Sequence, residues 1–538
     1  MMLSVTGAGA LGVGCRRFIE KVETERPRLQ EGGVMPYEPQ PYGPMPPKTM
    51  FFAARPGPSA LSRDDIRVPK TDIHWKFVRH YIEAEPDPDY EHASPDAYEE
   101  FRDMKFGVRI HWGLYSIWAR RGESWAFLRM SNERRQEYQE LYKTFNPAGF
   151  DPEEWMGLFE RSGIKVMALT VKHHEGFSMY DTKTRVRRRA KWAPGRPKIE
   201  ECDLAYSIME TPFKRDITRE LVDAAHKHGI KIDLYFSHPD WYDADFRPYA
   251  CHPLLTWHSI FRPGKYGNLP ILTYCPIMAP DPTPQARARM MTRHRAQLVE
   301  LLSSYGKIDM VCLDMSLGSE VWPQMRETIK MLRKLQPDVM FRARGIGNYG
   351  DYYTPENVVP RSPENTGMPW MVIYPLGRSF SYESRADKHK GTRWIIHNLI
   401  DAVSKGGNFM VGIGPDANGK FHPEARKELL ETGEWLKANG EAIYGTRMWD
   451  HWKEGRNVRF TRSKDGKYVY AFCLEWAGPE FTSKVLRAKR GSKIYMLGVE
   501  EELEWRQDGK ELVIRVPESE SRNRPCEHAW VFRVEPAD

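Results

Sequence analysis

The chain has 538 residues, too many for one compact core, so two or more domains are expected. Its 80 basic and 73 acidic residues leave a net charge of +7, a mild imbalance at this length, and no nucleic-acid recognition motif accompanies it. No apolar run reaches the roughly 20 residues of a membrane span, and the seven cysteines, an odd number without metal or disulfide spacing, argue against a complete disulfide framework.

The first segment, Leu3 to Cys15, is small and apolar, like the core of an export signal whose basic lead is missing. Cys15 stands where a lipoprotein cysteine would, although Gly12 replaces the larger apolar residue usual there. Export to the periplasm or the extracellular space is expected. The rest of 1–95 is proline-rich (Pro36, Pro39, Pro41, Pro44, Pro46, Pro47) and poorly periodic, which reads as an extended arm on the surface of the next domain.

From there, short apolar runs alternate with helical patterns. Phe106–Ile110 stops at His111, Trp112 and Gly113. Val166–Val171 runs into Lys172, His173, His174, Glu175 and Gly176. Lys231–Phe236 runs into Ser237, His238, Pro239, Asp240 and Trp241, and Ile308–Leu313 into Asp314. Val339–Arg344, Trp370–Tyr374 and Asn408–Pro415 read as later strands. Between them, Asp151–Glu160, Asp216–His228, Ala286–Tyr305, Ser319–Leu335 and Pro423–Ala438 carry helical spacing, the first with an aspartate cap and a proline at its start. This is the rhythm of a (β/α)8 TIM-like barrel, spanning 96–447, with its site on the C-terminal face. The run Lys183 to Lys198, with Arg185, Arg187, Arg188, Arg189, Lys191 and Arg196, reads either as a solvated loop or as a rim attracting an anionic substrate. Beyond it, 448–538 holds short strands with Asp-Gly turns at 465–466 and 508–509, which reads as an antiparallel β-sandwich.

Asp314 follows an apolar strand directly and is the sharpest candidate for chemistry, whereas Asp309 starts that strand and reads as structural. A glycosidase needs a carboxylate on one side of the anomeric carbon and a proton donor on the other. His111, His173, His174 and His238 all fall at strand ends, which favours hydrogen bonds to a polyhydroxylated ligand. His173 and His174, adjacent on a strand, point to opposite sides, so a single ion would use only one of them; no metal and no cofactor are expected. Seventeen tryptophans suit the aromatic platforms of sugar clefts, although buried tryptophan explains most of them.

Taken in order, Phe106-Gly-Val-Arg-Ile-His-Trp-Gly-Leu-Tyr-Ser116, Lys172-His-His-Glu-Gly-Phe177, Arg215-Asp-Ile217, Leu234-Tyr-Phe-Ser237, Tyr353-Thr-Pro-Glu356, Asn408-Phe-Met-Val-Gly-Ile-Gly-Pro415 and Gly433 to Arg447 resemble the α-L-fucosidases of glycoside hydrolase family 29. The resemblance covers roughly 98–450. It implies an exo-acting, retaining hydrolase of α-L-fucosides, or of a close analogue such as an L-galactoside or a sulfated fucoside, acting on fucosylated oligo- or polysaccharide. Asp314 falls at the nucleophile position. His111, His173, His174, Tyr235 and Arg344 fall at positions that hold the sugar hydroxyls, with Trp112, His238 and Trp241 beside them. Glu123 and Trp125 match the family's Glu-Trp pair, with Ser124 inserted between them.

Two departures stand out. Cys312 replaces a tryptophan common two residues before the nucleophile, which implies a smaller pocket wall. The Pro-Trp-Glu motif that supplies the proton donor in one branch reads Pro369-Trp370-Met371 here. The resemblance then leaves Glu356 as acid/base, with Glu364 and Glu383 as lesser candidates. The rival readings are a sugar-binding relative that has lost its acid/base, and a barrel hydrolase of another class, perhaps metal-dependent.

Overall fold

The computed structural model describes residues 83, 85–119, 122–192, 197–247, 252–254, 283–317, 319–363 and 367–537. The segment read as an export signal, most of the arm, Cys15, Arg196 and Glu364 lie outside the described residues.

Among the described residues, nine strands precede the C-terminal unit: β1 (Phe106–Ile110), β2 (Val166–Lys172), β3 (Val186–Lys191), β4 (Lys198–Leu204), β5 (Lys231–Ser237), β6 (Met310–Asp314), β7 (Met340–Phe341), β8 (Met371–Pro375) and β9 (Asn408–Ile413). Seven form one parallel sheet in the order β7-β6-β5-β2-β1-β9-β8. β1, β2, β6 and β9 are buried along their whole length, because both faces of a parallel sheet are covered.

The two ends of this sheet are joined by residues 352–356. Tyr352 bridges Arg342 on one side, while Tyr353 bridges Trp370 and Glu356 bridges Ile373 on the other, all in parallel sense. Hydrogen bonds run from Ala343 N–H to Tyr352 O (2.8 Å) and from Ile373 N–H to Pro355 O (3.1 Å). The segment is therefore the eighth member of a closed (β/α)8-type ring. Pro355 has no N–H to donate, so isolated bridges replace a regular ladder. For the same reason β7 is two residues long rather than the six of Val339–Arg344: beyond Phe341 the chain bonds the closing segment and then turns.

The helices cover the ring. Pro152–Arg161 is capped by Asp151, whose carboxylate accepts from Glu153 and Glu154 N–H, and Ile217–Lys227 by Asp216, which accepts from Arg219 N–H. Pro284–Ser304, Trp322–Leu335, Thr392–Ser404 and Pro423–Asn439 complete the outer layer among the described residues. Asp309 precedes β6 at the end of the ring away from the mouth, accepting from Ile232 N–H (2.9 Å) and Lys231 Nζ (3.2 Å).

The C-terminal unit opens with a strand at Thr446–Glu454, two residues before the expected boundary. A six-stranded and a three-stranded antiparallel sheet enclose Phe460, Phe481, Ile494, Ile514 and Phe532. Tyr470, Phe472 and Val531 join the barrel's own core instead, and Trp435 Nε1 donates to Ala529 O at 2.8 Å, so the two units share a continuous apolar contact.

The basic run folds into the β3–β4 hairpin. Arg185 and Arg187 pair with Asp203, Arg188 with Glu201, Arg189 with Glu200 and Glu140, and Lys191 with Glu200. Among the described residues, these five side chains are paired within the hairpin and its immediate neighbours.

Asp351, just before the closing segment, is fully buried and ties four pieces of chain together. Its carboxylate takes hydrogen bonds from Arg333 Nη2 (2.5 Å), Phe341 N–H (2.7 Å), Ala93 N–H (3.2 Å) and Tyr98 OH (3.3 Å), and faces His92 Nδ1 at 3.0 Å. Burial alone would raise its pKa, but Arg333 and His92 hold it below the ordinary carboxylate value. Its contribution is therefore fully present above the unfolded carboxylate pKa and is lost as pH falls through the lower folded value. Asp351→Ala is expected to cost about 3–5 kcal/mol at pH 7 by leaving Arg333 buried and uncompensated. Urea titrations at pH 7 check this, and titrations at falling pH should show the deficit shrinking.

Candidate active site

The mouth of the ring is built from strand ends. His111 follows β1, His173 and His174 follow β2, Tyr235 lies within β5, and Asp314 ends β6. β5 and β6 pair with Tyr235 opposite Cys312 and Ser237 opposite Asp314, so the Tyr235 side chain reaches two residues along β6 to the carboxylate.

Asp314 is 6% exposed. Its Oδ2 accepts from the Tyr235 hydroxyl at 2.7 Å and stands 3.4 Å from His174 Nε2. Its Oδ1 accepts from Arg344 Nη1 at 2.8 Å, with Arg342 Nη1 at 3.4 Å. Burial pushes this carboxyl's pKa up, but Arg344, His174 and Arg342 outweigh burial and hold it well below the usual carboxylate range. Asp314 is thus favoured as a buried carboxylate with partners on both oxygens. The next residue, Met315, adopts a left-handed φ of 64°, and its carbonyl lies where a side chain at Gly345 would begin, 2.3 Å from an added Cβ. Only glycine lets the chain leaving Arg344 press this closely against the turn after Asp314.

Glu356 lies on the closing segment with its side chain 29% exposed, and its Oε2 accepts from the same Arg344 Nη1 at 3.0 Å. One nitrogen thus touches both carboxylates, and the legs of 2.8 and 3.0 Å cap the gap between those two oxygens at about 6 Å.

Aromatic rings form the remaining wall. His173 stacks on Tyr235 with ring centres 5.5 Å apart, and His111 lies 5.6 Å from His173. Trp125 meets His174 edge-on at 5.0 Å and Trp241 at 5.3 Å, and Trp241 lies 5.0 Å from His174. His173 and His174 do not diverge as neighbours on a strand would: β2 ends at Lys172, and their rings sit 4.6 Å apart. Burial holds the pKa values of His111 and His173 well below 6.5, so both rings are neutral, each offering one donor and one acceptor. Glu123 is buried with a positive φ of 49°, and its Oε1 accepts from Ser381 N–H at 2.9 Å; burial pushes it up to about 7.

Three expected residues stand elsewhere. Trp112 turns into the core against Phe145, Phe150 and Trp155, and its Nε1 donates to Asp416 O, so it does not line this wall. His238 stacks on His294, its Nδ1 3.0 Å from His294 Nε2, and burial lowers it to about 3. Glu383 is committed to Arg378 through both carboxylate oxygens, which with its Arg385 N–H contact lowers its pKa despite burial, so it is not placed to carry a proton. Met371 is buried in an apolar cluster with Ile373 and Met410.

The space implied by Cys312 is not open pocket. Arg342 Nη1 and Arg109 Nη2 both reach its Sγ, at 3.0 and 3.1 Å. Arg342 carried no expectation, and neither did Phe380, which stacks on His111 at 4.9 Å. Ser124 was legible as an insertion; its hydroxyl hydrogen-bonds His173 Nδ1 and so orients that ring.

Comparison with known proteins bears on the fold and the family. The family model described as alpha-L-fucosidase matches residues 81–441, and that of the alpha-L-fucosidase C-terminal domain matches residues 453–535. The chain is 28% identical over 473 residues to the tissue alpha-L-fucosidase of Homo sapiens, covering 81% of this chain and 88% of that protein. Among solved structures it resembles alpha-L-fucosidase isoenzyme 1 from Paenibacillus thiaminolyticus, at 26% identity and a TM-score of 0.65 over 82% of this chain and 99% of that one. An alpha-L-fucosidase from Bacteroides thetaiotaomicron, caught as a covalent intermediate, shares the fold at 22% identity and a TM-score of 0.63, over 84% of this chain and 99% of that one. With a family model running the length of the barrel and a second one covering the sandwich, this chain belongs to the alpha-L-fucosidase family of glycoside hydrolases.

Proposed function

We propose that this chain releases terminal α-L-fucose from glycans with retention of configuration, Asp314 acting as nucleophile and Glu356 as acid/base. The observation that carries this reading is the single Arg344 nitrogen shared by both carboxylates. It keeps their nearer oxygens within about 6 Å, whereas an inverting pair stands roughly 6.5–9.5 Å apart to admit a water.

In the first step Asp314 attacks the anomeric carbon as the bond to the aglycone oxygen breaks, and Glu356 gives that oxygen its proton. In the second step Glu356 takes a proton from water, the water oxygen bonds to the anomeric carbon, and the Asp314 carboxylate leaves with its electron pair. The division of burial suits these roles. Asp314 is enclosed and held ionised, while Glu356 is half-exposed where an aglycone would enter and leave. The neutral rings of His111 and His173, with His174, Glu123 and Trp125, match the hydroxyls of one terminal sugar. Phe380, stacked on His111, offers an apolar face that suits the methyl group of a 6-deoxy sugar better than a hydroxymethyl.

The self-neutralised β3–β4 hairpin gives no support to a sulfated or otherwise anionic substrate, so the substrate class is a fucosylated oligo- or polysaccharide. Export rests on the apolar segment Leu3 to Cys15. Among the described residues no helix is long and apolar enough to cross a membrane.

The buried methionine at 371 favours one rival, a sugar-binding relative without an effective proton donor. Two substitutions decide. Asp314→Gly should lower turnover of an aryl α-L-fucoside by at least about 10³-fold while fucose binding, followed by calorimetry, stays within a few-fold; near-normal turnover would remove Asp314 from the reaction. Glu356→Ala should slow poor leaving groups by about 10²- to 10⁴-fold. Azide should restore the rate on activated ones with formation of β-fucosyl azide. Absence of rescue would retire Glu356, and sugar binding without turnover in the parent chain would establish the rival.

A further inference from the structure

Arg342 lies one residue beyond β7 and is 1% exposed. Its Nη1 stands 3.0 Å from Cys312 Sγ and 3.4 Å from Asp314 Oδ1. Arg344 reaches the same Oδ1 at 2.8 Å. Two cations therefore converge on one oxygen of the proposed nucleophile, while the other oxygen accepts from the Tyr235 hydroxyl and stands 3.4 Å from His174 Nε2. Cys312 makes this possible. It precedes Asp314 by two residues on the same face of β6, and a side chain of its size leaves room for a guanidinium beside the sulfur. The neighbouring Arg109 shares that sulfur but is answered by Asp233, 3.4 Å away. Among the described residues, the carboxylate within ion-pair reach of Arg342 is Asp314.

We infer that Arg342 is a further catalytic residue, a second cation on the nucleophile that favours its departure from the glycosyl-enzyme. The inference rests on the reading of Asp314 as nucleophile. Forming the glycosyl ester removes a negative charge from Asp314, so a fixed cation beside it opposes that step. Hydrolysis reverses the balance. The water oxygen bonds to the anomeric carbon, the bond from that carbon to Asp314 breaks, and the electron pair returns to the carboxylate as Glu356 takes the water's proton. The charge that develops there meets a donor already in position, which lowers the barrier without reorganisation. Arg342 thus trades some speed in the first step for speed in the second.

The test uses the full chain with Arg342→Met and Arg342→Lys, assayed on 2,4-dinitrophenyl α-L-fucoside, whose leaving group needs little acid help. Arg342→Met should lower kcat by about tenfold, since Arg344 remains as a donor. KM should fall by more than kcat, so that kcat/KM, which reports the first step, rises. Intact-mass spectra of quenched turnover should show the glycosyl-enzyme accumulating, with the sugar on the peptide that contains Asp314. The acid limb of kcat/KM should move up by about one pH unit, because one of two opposite charges on the carboxylate is gone. Arg342→Lys keeps the charge and should hold both the acid limb and the partition within about twofold. A parallel fall in kcat and kcat/KM without accumulation overturns the inference, as does an unmoved acid limb. If Arg342→Met does not fold, Arg342→Lys decides alone: accumulation of intermediate with the charge retained would also overturn it. A label on a different peptide would instead bring down the nucleophile assignment beneath it.

Discussion

The chemistry of this barrel depends on one buried charge being made tolerable. A carboxylate taken out of water is costly unless each oxygen finds partners. Asp314 meets that requirement with Tyr235 and His174 on one oxygen and Arg344 and Arg342 on the other. The same requirement spaces the site. Because Arg344 must reach Asp314 to neutralise it, and also reaches Glu356, the two carboxylates cannot drift apart without losing their common donor. Separation and ionisation are two consequences of a single contact.

That contact is supported by how the ring closes. Arg342 and Arg344 leave β7, Glu356 leaves the closing segment, and Tyr352 binds one to the other through its bridge to Arg342. Asp351 fastens the root of this junction to Arg333 and to the arm at Ala93. The irregular eighth position is held by isolated bridges rather than by a continuous ladder. A regular strand there would fix Glu356 by pleat alternation, whereas two isolated bridges leave its side chain half-exposed beside Arg344.

Much of this was legible in the chain. Fully buried parallel strands are unbroken apolar runs, so β1, β2, β5 and β9 were readable nearly to the residue, and so was Asp314 at the end of β6. The closing segment was not, because Tyr353-Thr-Pro-Glu356 contains a proline and no apolar run; its membership of the ring rests on partners far away in sequence. His173 and His174 were misread for a related reason, since strand alternation applies only while the strand continues, and β2 stops at Lys172. Trp112 shows the opposite failure: a large ring at a strand end can serve the core as readily as the mouth, and only packing against Trp155 and Phe150 tells which. Cys312 was correctly noticed and wrongly interpreted. A smaller side chain on one strand need not leave a hole when a neighbouring strand holds an arginine.

The site therefore separates two tasks by electrostatics. In the proposed reading, recognition would fall to groups that burial keeps neutral: His111 and His173, whose rings each present one donor and one acceptor, and the faces of Trp125 and Phe380. Such groups read the positions of hydroxyls without attracting charged sugars in general. The ionic contacts that meet at the proposed nucleophile join Asp314, Arg342, Arg344 and Glu356. The β3–β4 hairpin obeys the same division from outside, its arginines matched by glutamates and an aspartate so that little field is left to draw anions toward the mouth. A basic run can thus be dense in sequence and nearly silent in space, because the strand that answers it lies only a turn away.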